Sequence, residues 1–431
     1  MRKIIQIKLK FFAKLVLKKY KPEVIGITGS VGKTSSKEAI RKVLLKKFNV
    51  RGSSKNYNNE IGVPLTILGY DSPGRSFWGW LVIFYKASKL ILFKDKNYPQ
   101  ILVLEMGVDR PGDMEYLTSV ADPIIGVITR IGVSHLEYFG SLEAIEKEKG
   151  MLIEDLKPGG WAILNYDDER SRNICQRSKA KVLTYGFKEG ADLMASDLKF
   201  SFEDNKDVKN LAGISFKLTY NGSTVPVYLP GVIGYGAIYA ALSGVAVGVI
   251  HDMNLVEISK ALSEFNSPRG RMNIMDGVKH SLIIDDTYNS SPQSCMSALD
   301  WMSKINIKEG ARKLAVLGDM YELGAYSEEG HREVGAYAFK SGVKRLMVVG
   351  ERARDIARGA EEAGMNRDDI FSFCNSDEAK KFVEKRIREG DVILVKGSQA
   401  MRMEKIVKEV MANPLQAESL LVRQGAEWSD K

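Results

Sequence analysis

The sequence predicts a two-domain α/β protein, and three observations support that fold class. A glycine-rich turn lies between an apolar run and a helical pattern near residue 30, as a phosphate-binding loop does. Apolar runs then alternate with helical patterns, which is typical of a mostly parallel sheet covered by helices on both faces. The same alternation returns after residue 280, so a second open, Rossmann-like α/β domain follows the first, P-loop domain.

The glycine-rich turn has the chemistry of a phosphate-binding loop. Residues 25–36 read IGITGSVGKTSS. A strand that turns through Gly29 and Gly32 into a helix start directs backbone N–H groups and the positive end of a helix to one point, where phosphates bind. We expect Lys33 to reach the terminal phosphates and the Thr34 hydroxyl to hold Mg²⁺. The spacing is G-x-x-G-K-T rather than the strict motif, so a glycine-rich turn that merely precedes a lysine is the alternative.

Composition narrows the class of protein. The 431 residues are enough for two or three domains, and 44% hydrophobic with 27% charged residues is ordinary for a globular chain. The three cysteines have no paired spacing, which indicates a reducing, cytoplasmic compartment and no metal or disulfide framework. The net charge of +9 suits an anionic ligand such as a nucleotide, or an anionic membrane surface. No nucleic-acid recognition motif is found, so a nucleic-acid partner is not expected.

Two basic, apolar segments stand apart from the α/β pattern. Residues 1–22 form an amphipathic helical pattern with one apolar stripe, made by Ile5, Leu9, Phe12 and Val16. Lysines interrupt this segment too often for a secretion signal. The second segment is an insertion at residues 76–94, which is too short and too basic for a transmembrane helix. For both segments, a helix on a membrane surface and a helix packed on the first domain remain open alternatives.

The first domain is expected over residues 23–266. Helices are predicted at residues 37–48, directly after the phosphate loop, and at residues 141–156. Buried strands are predicted at residues 101–105, 124–131 and 161–165. Between residues 191 and 230 the apolar runs become short and alternating, which predicts a small antiparallel sheet. Helices near residues 235–249 and 255–265 close the domain.

The second domain is expected over residues 267–412, after a hinge with the sequence NSPRG. Its strands are predicted at residues 281–284, 313–317, 345–349, 370–374 and 392–395. The tail at residues 413–431 is polar, and we expect it to fray.

Three side chains of the first domain are candidates for chemistry. Glu105 ends a strand of the sheet that carries the phosphate loop, where a carboxylate can coordinate Mg²⁺; a solvated strand end is the alternative. His135 follows the next strand and could be a ligand or a structural histidine. Lys149 lies in the helical pattern EAIEKEKGMLI and by itself is an ordinary surface lysine.

The order of motifs resembles the Mur ligase family. The first half contains GITGSVGKTS, KNYNNEIGVPLTIL, VLEMG and SHLEYFGSLEAIEKEKG, and the second contains IIDDTYNSSPQS, LGDMYELG and LVKGS. The resemblance extends over residues 24–411. It implies an ATP-dependent enzyme of peptidoglycan precursor synthesis that forms an amide bond. The implied substrates are a muramyl peptide-like carboxylate and an amino acid or dipeptide such as D-Ala-D-Ala.

The resemblance also implies a role for individual residues. Two Mg²⁺ ions would be held by Thr34, Glu105, His135 and Lys149. The implied catalytic residues are Lys33, Lys149 and His135, with Lys149 carrying CO₂ as a carbamate. ATP would be bound by Gly29, Ser30, Gly32, Lys33, Thr34, Ser35, Arg271, Asp286, Tyr288 and Asn289. The substrates would face Asn56, Asn58, Asn59, Asp319, Glu322, His331, Lys396 and Ser398.

The sequence departs from the family pattern in two places. Only about twenty residues precede the phosphate loop, so the domain that holds the UDP-sugar in the family is not expected here. The family commonly has a His-Asn pair and a further Asn near the adenine, where this chain has Gly236, Ala237 and Ala240. Side-chain hydrogen bonds to the base would be missing, which would make the site less strict for adenine.

The favoured interpretation is therefore a monomeric, cytoplasmic carboxylate–amine ligase that acts through an acyl phosphate. A folylpolyglutamate synthase-like or poly-amino-acid ligase is a second interpretation. A nucleotide-binding scaffold without catalysis is a third, and contact with a membrane surface is left open.

Overall fold

Two β-sheets organise the chain, one of nine strands and one of six. The computed structural model describes residues 2–53, 57–132, 136–203, 210–425 and 428. Each sheet has helices on both faces, so both halves of the chain are α/β, as the alternating pattern predicts.

The first sheet has the strand order β2-β3-β1-β4-β5-β6-β7-β8-β9. Its strands are β1 (Glu23–Thr28), β2 (Val50–Gly52), β3 (Ile101–Glu105), β4 (Ile125–Ile128), β5 (Trp161–Asn165), β6 (Lys181–Gly186), β7 (Leu193–Phe202), β8 (Leu211–Tyr220) and β9 (Ser223–Pro230). Strands β1 to β6 pair in parallel. The alternating runs after residue 191 do not form a separate sheet, because β7 pairs in parallel with β6 and antiparallel with β8.

In the ranges described, ten α-helices accompany the first sheet. They are α1 (Arg2–Tyr20), α2 (Lys33–Leu44), α3 (Gly62–Leu68), α4 (Phe77–Leu92), α5 (Asp113–Ala121), α6 (Leu136–Phe139), α7 (Leu142–Glu154), α8 (Glu169–Asn173), α9 (Tyr235–Ile250) and α10 (Leu255–Leu262). Strand β3, which lies between β2 and β1, shows why the parallel strands are apolar throughout. Ile101 and Val103 pack with α2, α9 and α10, whereas Leu102 and Leu104 face α3, α5 and α7 on the other side.

Helices α1 and α4 both pack on the first domain, which is one of the two alternatives that their sequences leave open. Leu9, Ala13 and Val16 of α1 are buried against the first domain, and so are Trp80, Ile83 and Ala87 of α4. Each helix thus packs on the domain through one face, while its opposite face remains exposed. Within the described residues, no helix combines the length and the apolar character that crossing a bilayer requires.

The second sheet has the order β10-β11-β15-β12-β13-β14, and only β10 runs antiparallel. Its strands are β10 (Asn273–Asp276), β11 (Leu282–Asp286), β12 (Lys313–Gly318), β13 (Arg345–Val349), β14 (Ile370–Phe373) and β15 (Val392–Lys396). Its helices are α11 (Pro292–Ser303), α12 (Ser327–Lys340), α13 (Arg354–Glu362), α14 (Ser376–Arg386), α15 (Glu404–Val410) and α16 (Ala417–Leu420).

The two domains share an apolar contact. Trp301 of α11 meets Phe200 of β7 and Tyr235 of α9, with ring centroids 5.5 Å and 5.2 Å apart, and Lys304 donates a 2.6 Å hydrogen bond to the Tyr235 hydroxyl. Trp301 and Lys304 thus join α11 of the second domain to β7 and α9 of the first.

The prediction that the tail frays is wrong for its described part. Ala417 and Leu421 are buried against α15, and the Arg423 guanidinium donates to the Thr287 carbonyl and to the Glu404 carboxylate, at 2.6 Å and 2.7 Å. Glu404 is fully buried and also accepts from Arg402 at 2.6 Å. Two apolar side chains and one buried ion pair therefore anchor this part of the tail, although most of its other polar side chains are exposed.

Candidate nucleotide and metal site

The phosphate loop has the backbone shape that its glycines predict. Gly29 and Gly32 have φ angles of 141° and 91°, which disfavour a side chain. A Cβ on Gly29 would also lie 2.0 Å from Thr129 Oγ1, at the end of the neighbouring strand. The Ser30 hydroxyl donates to the Gly132 carbonyl at 2.8 Å and accepts from the Gly132 N–H. The loop is thus held against the next strand of the sheet, with its turn free to approach an anion.

Lys33, Thr34 and Ser35 begin α2, so the helix starts four residues earlier than predicted. Lys33 Nζ donates to the Gly29 carbonyl at 2.7 Å, which folds the side chain back over the loop. Burial lowers the pKa of Lys33, and the Glu105 carboxylate opposes that effect. Ser35 is buried and Thr34 is half-buried at the helix start. The side chains therefore lie where a phosphate chain on this loop would need them.

Glu105 has the features of a metal ligand. It ends β3 directly beside Ile27 of β1, and its side chain is 3% exposed. Oε1 accepts a 3.3 Å hydrogen bond from Asn58 Nδ2, whereas Oε2 is buried with no hydrogen-bond donor among the described residues. An unsatisfied buried carboxylate oxygen is costly unless a cation or water meets it. The unsatisfied Glu105 oxygen therefore fits a role as a ligand of Mg²⁺, which prefers carboxylate oxygens.

The sequence around Lys149 suggests a surface lysine, but the structure buries this side chain. It lies on α7 with 1% of its surface exposed, and no hydrogen bond or ion pair joins its Nζ to another described residue. Burial, together with a smaller effect of the Lys33 ammonium, lowers the pKa of Lys149 to about 7. The Asp109 carboxylate acts on both lysines in the opposite direction. Lys149 therefore shares one electrostatic pocket with the phosphate loop.

Arg271 links the second domain to the phosphate loop. Its guanidinium Nη2 donates to Thr34 Oγ1 at 3.4 Å, and its carbon lies 4.2 Å from the centroid of the Tyr288 ring. Its Nε is buried without an acceptor in the described part of the chain. Gly270, with φ of 68°, allows the turn in which its carbonyl accepts from the Tyr288 N–H. Arg271 and Tyr288 therefore lie together beside Thr34 of the phosphate loop.

Asp286 is engaged within the second domain. Lys396 Nζ donates to Asp286 Oδ2 at 2.6 Å and to the Asn289 carbonyl at 2.9 Å, and both side chains of the ion pair are largely buried. The predicted nucleotide residues Asp286 and Asn289 are thereby joined to Lys396, which was predicted on the amine side. The neighbouring Asp285 is fully buried, and burial raises its pKa to about 6.

The remaining predicted amine-side residues surround the carboxyl ends of β12 and β15. Asp319 accepts from the Ala353 N–H at 2.7 Å, and the Ser398 hydroxyl accepts from the Tyr321 N–H at 3.0 Å. His331 is fully buried: the Met320 N–H donates to its Nε2, and its Nδ1 lies 2.6 Å from the Ser327 carbonyl. Glu322 is exposed in a left-handed turn with φ of 64°. In this structure His331 positions the loop rather than facing the cleft.

Two predicted residues, His135 and Asn56, lie outside the described residues. Asn59 is described, and its side chain accepts from the N–H groups of Ile61 and Gly62 at the start of α3. No cluster of three or more His, Cys, Asp or Glu side chains able to hold a metal occurs in the described ranges. Gly236 is the second residue of α9, and a Cβ there would meet no atom within 4 Å, so this departure from the family pattern leaves open space.

Sequence reasoning missed Asp109, which interacts electrostatically with both Lys33 and Lys149. Its position four residues beyond the strand-ending Glu105, in VLEMGVDRPGD, was the available signal. It also missed Glu148, which is buried and accepts from the N–H groups of Gly112 and Met114. Glu148 holds the loop that carries Asp109 against α7.

Comparisons with known proteins agree with this geometry. The Mur ligase middle domain matches residues 27–77 and 85–231, and the glutamate ligase domain of Mur ligases matches residues 270–399. A Bacillus subtilis protein named UDP-N-acetylmuramoyl-tripeptide–D-alanyl-D-alanine ligase is 30% identical over 410 residues, which cover 94% of this chain and 80% of that protein.

The chain belongs to the Mur ligase family.

Solved structures give the same result. A MurF ligase from Thermotoga maritima, in complex with ADP, is 27% identical with a TM-score of 0.76 and covers 94% of this chain and 83% of that one. MurF from Acinetobacter baumannii is 24% identical with a TM-score of 0.77 over 95% of this chain and 81% of its own, which supports the fold. This Mur ligase is accordingly an ATP-dependent enzyme that joins an acid to an amino acid, and the resemblance predicted from its motifs is confirmed.

Proposed function

We propose that this chain joins the terminal carboxylate of a peptidoglycan precursor peptide to the amino group of D-alanyl-D-alanine or a similar amine. One observation carries the proposal: Lys33, Glu105, Lys149 and Arg271, from both domains, converge on one pocket beside the phosphate loop. The name of the Bacillus subtilis relative supplies the pair of substrates.

The chemistry follows from the difficulty of the reaction. A carboxylate is a poor electrophile because its negative charge repels an attacking amine and because oxide is a poor leaving group. In the proposed reaction a carboxylate oxygen attacks the γ-phosphorus of ATP, the bond to the β-phosphate oxygen breaks, and ADP leaves. The amine then attacks the acyl phosphate carbon, phosphate departs, and the nitrogen loses a proton as the amide forms.

The residues of the loop bind and orient the nucleotide. Lys33 and the N–H groups around Gly29 and Gly32 stabilise negative charge on the phosphate oxygens, and Arg271 approaches them from the second domain. Tyr288, stacked on Arg271, fixes the direction of the guanidinium. Because these groups are positioned before the reaction begins, little reorganisation accompanies the charge transfer.

Thr34 and Glu105 are proposed to hold one Mg²⁺, and Lys149, together with His135, a second. When bound, Mg²⁺ would offset the charge on the phosphoryl oxygens. A cationic lysine cannot be a metal ligand, but an amine with a pKa of about 7 is substantially neutral at physiological pH and can add CO₂ to form an anionic carbamate. The buried position of Lys149 therefore supports its proposed carbamylation.

The amine substrate is proposed to enter from the second domain. Asp319, Ser398 and Glu322 lie where β12 and β15 end, and Lys396 connects that edge to Asp286 and Asn289. The turn at residues 266–270 would let this edge approach the acyl phosphate, since orientation of the two reactants supplies much of the rate. Asn58, bonded to Glu105, would face the carboxylate substrate.

The pocket draws residues from both domains of a single chain, which supports a monomer as the working unit. Use of ATP and three free cysteines support a cytoplasmic site of action. Sedimentation velocity tests the first proposal, with a stable dimer as the contrary result.

The decisive experiment measures ADP release with UDP-N-acetylmuramoyl-tripeptide and D-Ala-D-Ala together, with each alone, and with glutamate as the amine. We expect release only with the complete pair and a product mass equal to the two substrates minus water. Lys33→Ala should abolish release, whereas Lys179→Ala, an exposed lysine away from the site, should leave it unchanged. Preference for glutamate would favour the folylpolyglutamate-type reaction, and equal release by Lys33→Ala would contradict the site.

A further inference from the structure

Helices α1 and α4 together present an apolar face that the catalytic site does not use. Of the twenty large apolar side chains exposed in the described part of the chain, ten lie on these helices or at the residue that ends α4. They are Ile4, Ile7, Phe11, Phe77, Trp78, Leu81, Val82, Tyr85, Leu92 and Phe93. We call this set the outer face. Contiguous exposed apolar surface of this kind marks an interaction site in a globular protein.

The two helices run side by side in the same direction. Phe12 stacks on Phe84 with centroids 5.7 Å apart, and about two helical turns further on Lys19 donates to the Leu90, Ile91 and Phe93 carbonyls. Tyr20 donates to the Leu90 carbonyl at 3.0 Å, which further fixes the end of α4. The pair is therefore a firm unit rather than two independent segments.

The exposed side chains lie on one side of that unit. On α1, Ile4, Ile7 and Phe11 recur at intervals of three and four residues, opposite the buried Leu9 and Val16. On α4, Trp78, Leu81, Tyr85 and Leu92 recur in the same way, opposite the buried Trp80, Ile83 and Ala87. Since both buried faces point to the domain, both exposed stripes point away from it.

The charges around the outer face have one sign. Neither helix contains an aspartate or glutamate. Lys14 and Lys18 continue the exposed stripe of α1, and Lys89 lies within that of α4. Lys3 and Lys8 lie at the edges of the α1 stripe and are exposed. A protein partner with an ordinary apolar patch would not require this pattern, whereas a surface of negative headgroups over hydrocarbon would.

We propose that the outer face binds the surface of an anionic phospholipid bilayer. Trp78, Tyr85 and the aliphatic side chains enter the boundary between headgroups and acyl chains, while the lysines meet the headgroup phosphates. The face lies largely apart from the catalytic domains: α1 precedes the first residue matched by the Mur ligase middle domain, and residues 78–84 are not among those matched.

The face is also connected to the substrate side of the cleft. Arg2, at the start of α1, pairs with Glu60 at 2.7 Å, and Gln6 donates to the same carboxylate. Glu60 follows Asn58 and Asn59, and Asn58 contacts Glu105. Docking through α1 would therefore place the carboxylate-substrate side of the site close to the membrane surface.

The test uses the full chain in flotation with vesicles of phosphatidylcholine alone or with one third phosphatidylglycerol. We expect flotation with the anionic vesicles at low salt, a weaker signal with neutral vesicles, and a decrease as ionic strength rises. The double variant Trp78→Ser/Tyr85→Ser and the charge variant Lys14→Gln/Lys18→Gln should each bind at least tenfold more weakly. Val256→Ser removes an exposed aliphatic side chain on α10 and should bind as the parent does.

Thermal unfolding and ADP release of each variant should match the parent, which separates a lost docking face from a lost fold. No flotation of the parent with anionic vesicles at low salt would overturn the proposal, and so would equal flotation of the double variant. A concentration-dependent dimer that the double variant abolishes, without vesicle binding, would assign the face to a second copy of the chain instead.

Discussion

Replacing Lys149 by methionine should make the protein more stable while it removes activity. The unfolded lysine holds its proton up to pH 10.5, whereas the folded one, buried on α7, holds it only to about pH 7. The gap corresponds to about 5 kcal/mol, at about 1.4 kcal/mol for each tenfold change in proton affinity. Folding at pH 7 must therefore overcome about 4 to 5 kcal/mol that methionine, a side chain of similar length, does not incur.

The sign of the pH dependence follows from the same two values. Between about pH 7 and pH 10.5 the unfolded chain binds more protons at this position than the folded chain. The stability of the parent therefore rises with pH across that window relative to Lys149→Met. The advantage of the variant should be greatest at pH 7 and below, and should shrink to about 2 kcal/mol near pH 9.

Urea unfolding at 25 °C in CO₂-depleted buffer, at pH 7 and pH 9, measures this difference. Lys147→Met, two residues away on the exposed face of the same helix, is the matched control and should change stability by less than about 0.5 kcal/mol. ADP release by Lys149→Met should be lost, and bicarbonate should stimulate the parent alone. A variant no more stable than the parent at pH 7 would refute the assignment of a buried lysine whose pKa is about 7.

Three further substitutions test the site and its support. Glu105→Gln should reduce ADP release by about a hundredfold and weaken the Mg²⁺ dependence of that release. The control Asp122→Asn, which changes an exposed acid, should alter neither quantity. An unchanged Mg²⁺ dependence in Glu105→Gln would exclude Glu105 as a ligand. Arg271→Ala should raise the KM for ATP about tenfold with little loss of folding, and an unchanged KM would separate it from the nucleotide. Lys396→Met leaves the Asp286 carboxylate buried without its partner and should lower the free energy of unfolding, measured with urea, by about 3 kcal/mol. Adding Asp286→Asn should recover part of that loss. A larger loss in the double variant would contradict the coupling of the two side chains.

Strands buried on both faces were the most predictable elements. The predicted bounds at residues 101–105, 161–165 and 345–349 coincide with β3, β5 and β13, because an uninterrupted apolar run has one interpretation in a sheet covered on both sides. The antiparallel strands were also recognised, but their attachment to the main sheet was not. That attachment depends on two backbone pairings between β6 and β7, which leave no trace in side-chain periodicity.

The site was predictable where a motif sets the local backbone. Gly29, Lys33 and Thr34 lie as their spacing predicts, and Glu105 ends the strand at which it was expected. Burial was harder to anticipate. Lys149 has the context of a solvated helix face, yet it is buried once α7 packs on the sheet and on its neighbouring helices. The Arg423–Glu404 ion pair also could not be predicted from the sequence, because tertiary packing brings together a tail residue and a helix residue that share no sequence pattern.

The carboxyl-terminal segment has a consequence for the order in which the molecule matures. Residues 417–423 are synthesised after both sheets, yet Arg423 supports the carbonyls of Thr287 and Tyr288, next to the guanidinium of Arg271. A nascent chain can therefore complete its P-loop domain on the ribosome while the turn opposite that loop still lacks its brace. Catalytic competence would therefore wait for the synthesis of residues 417–423, which follow both sheets along the chain.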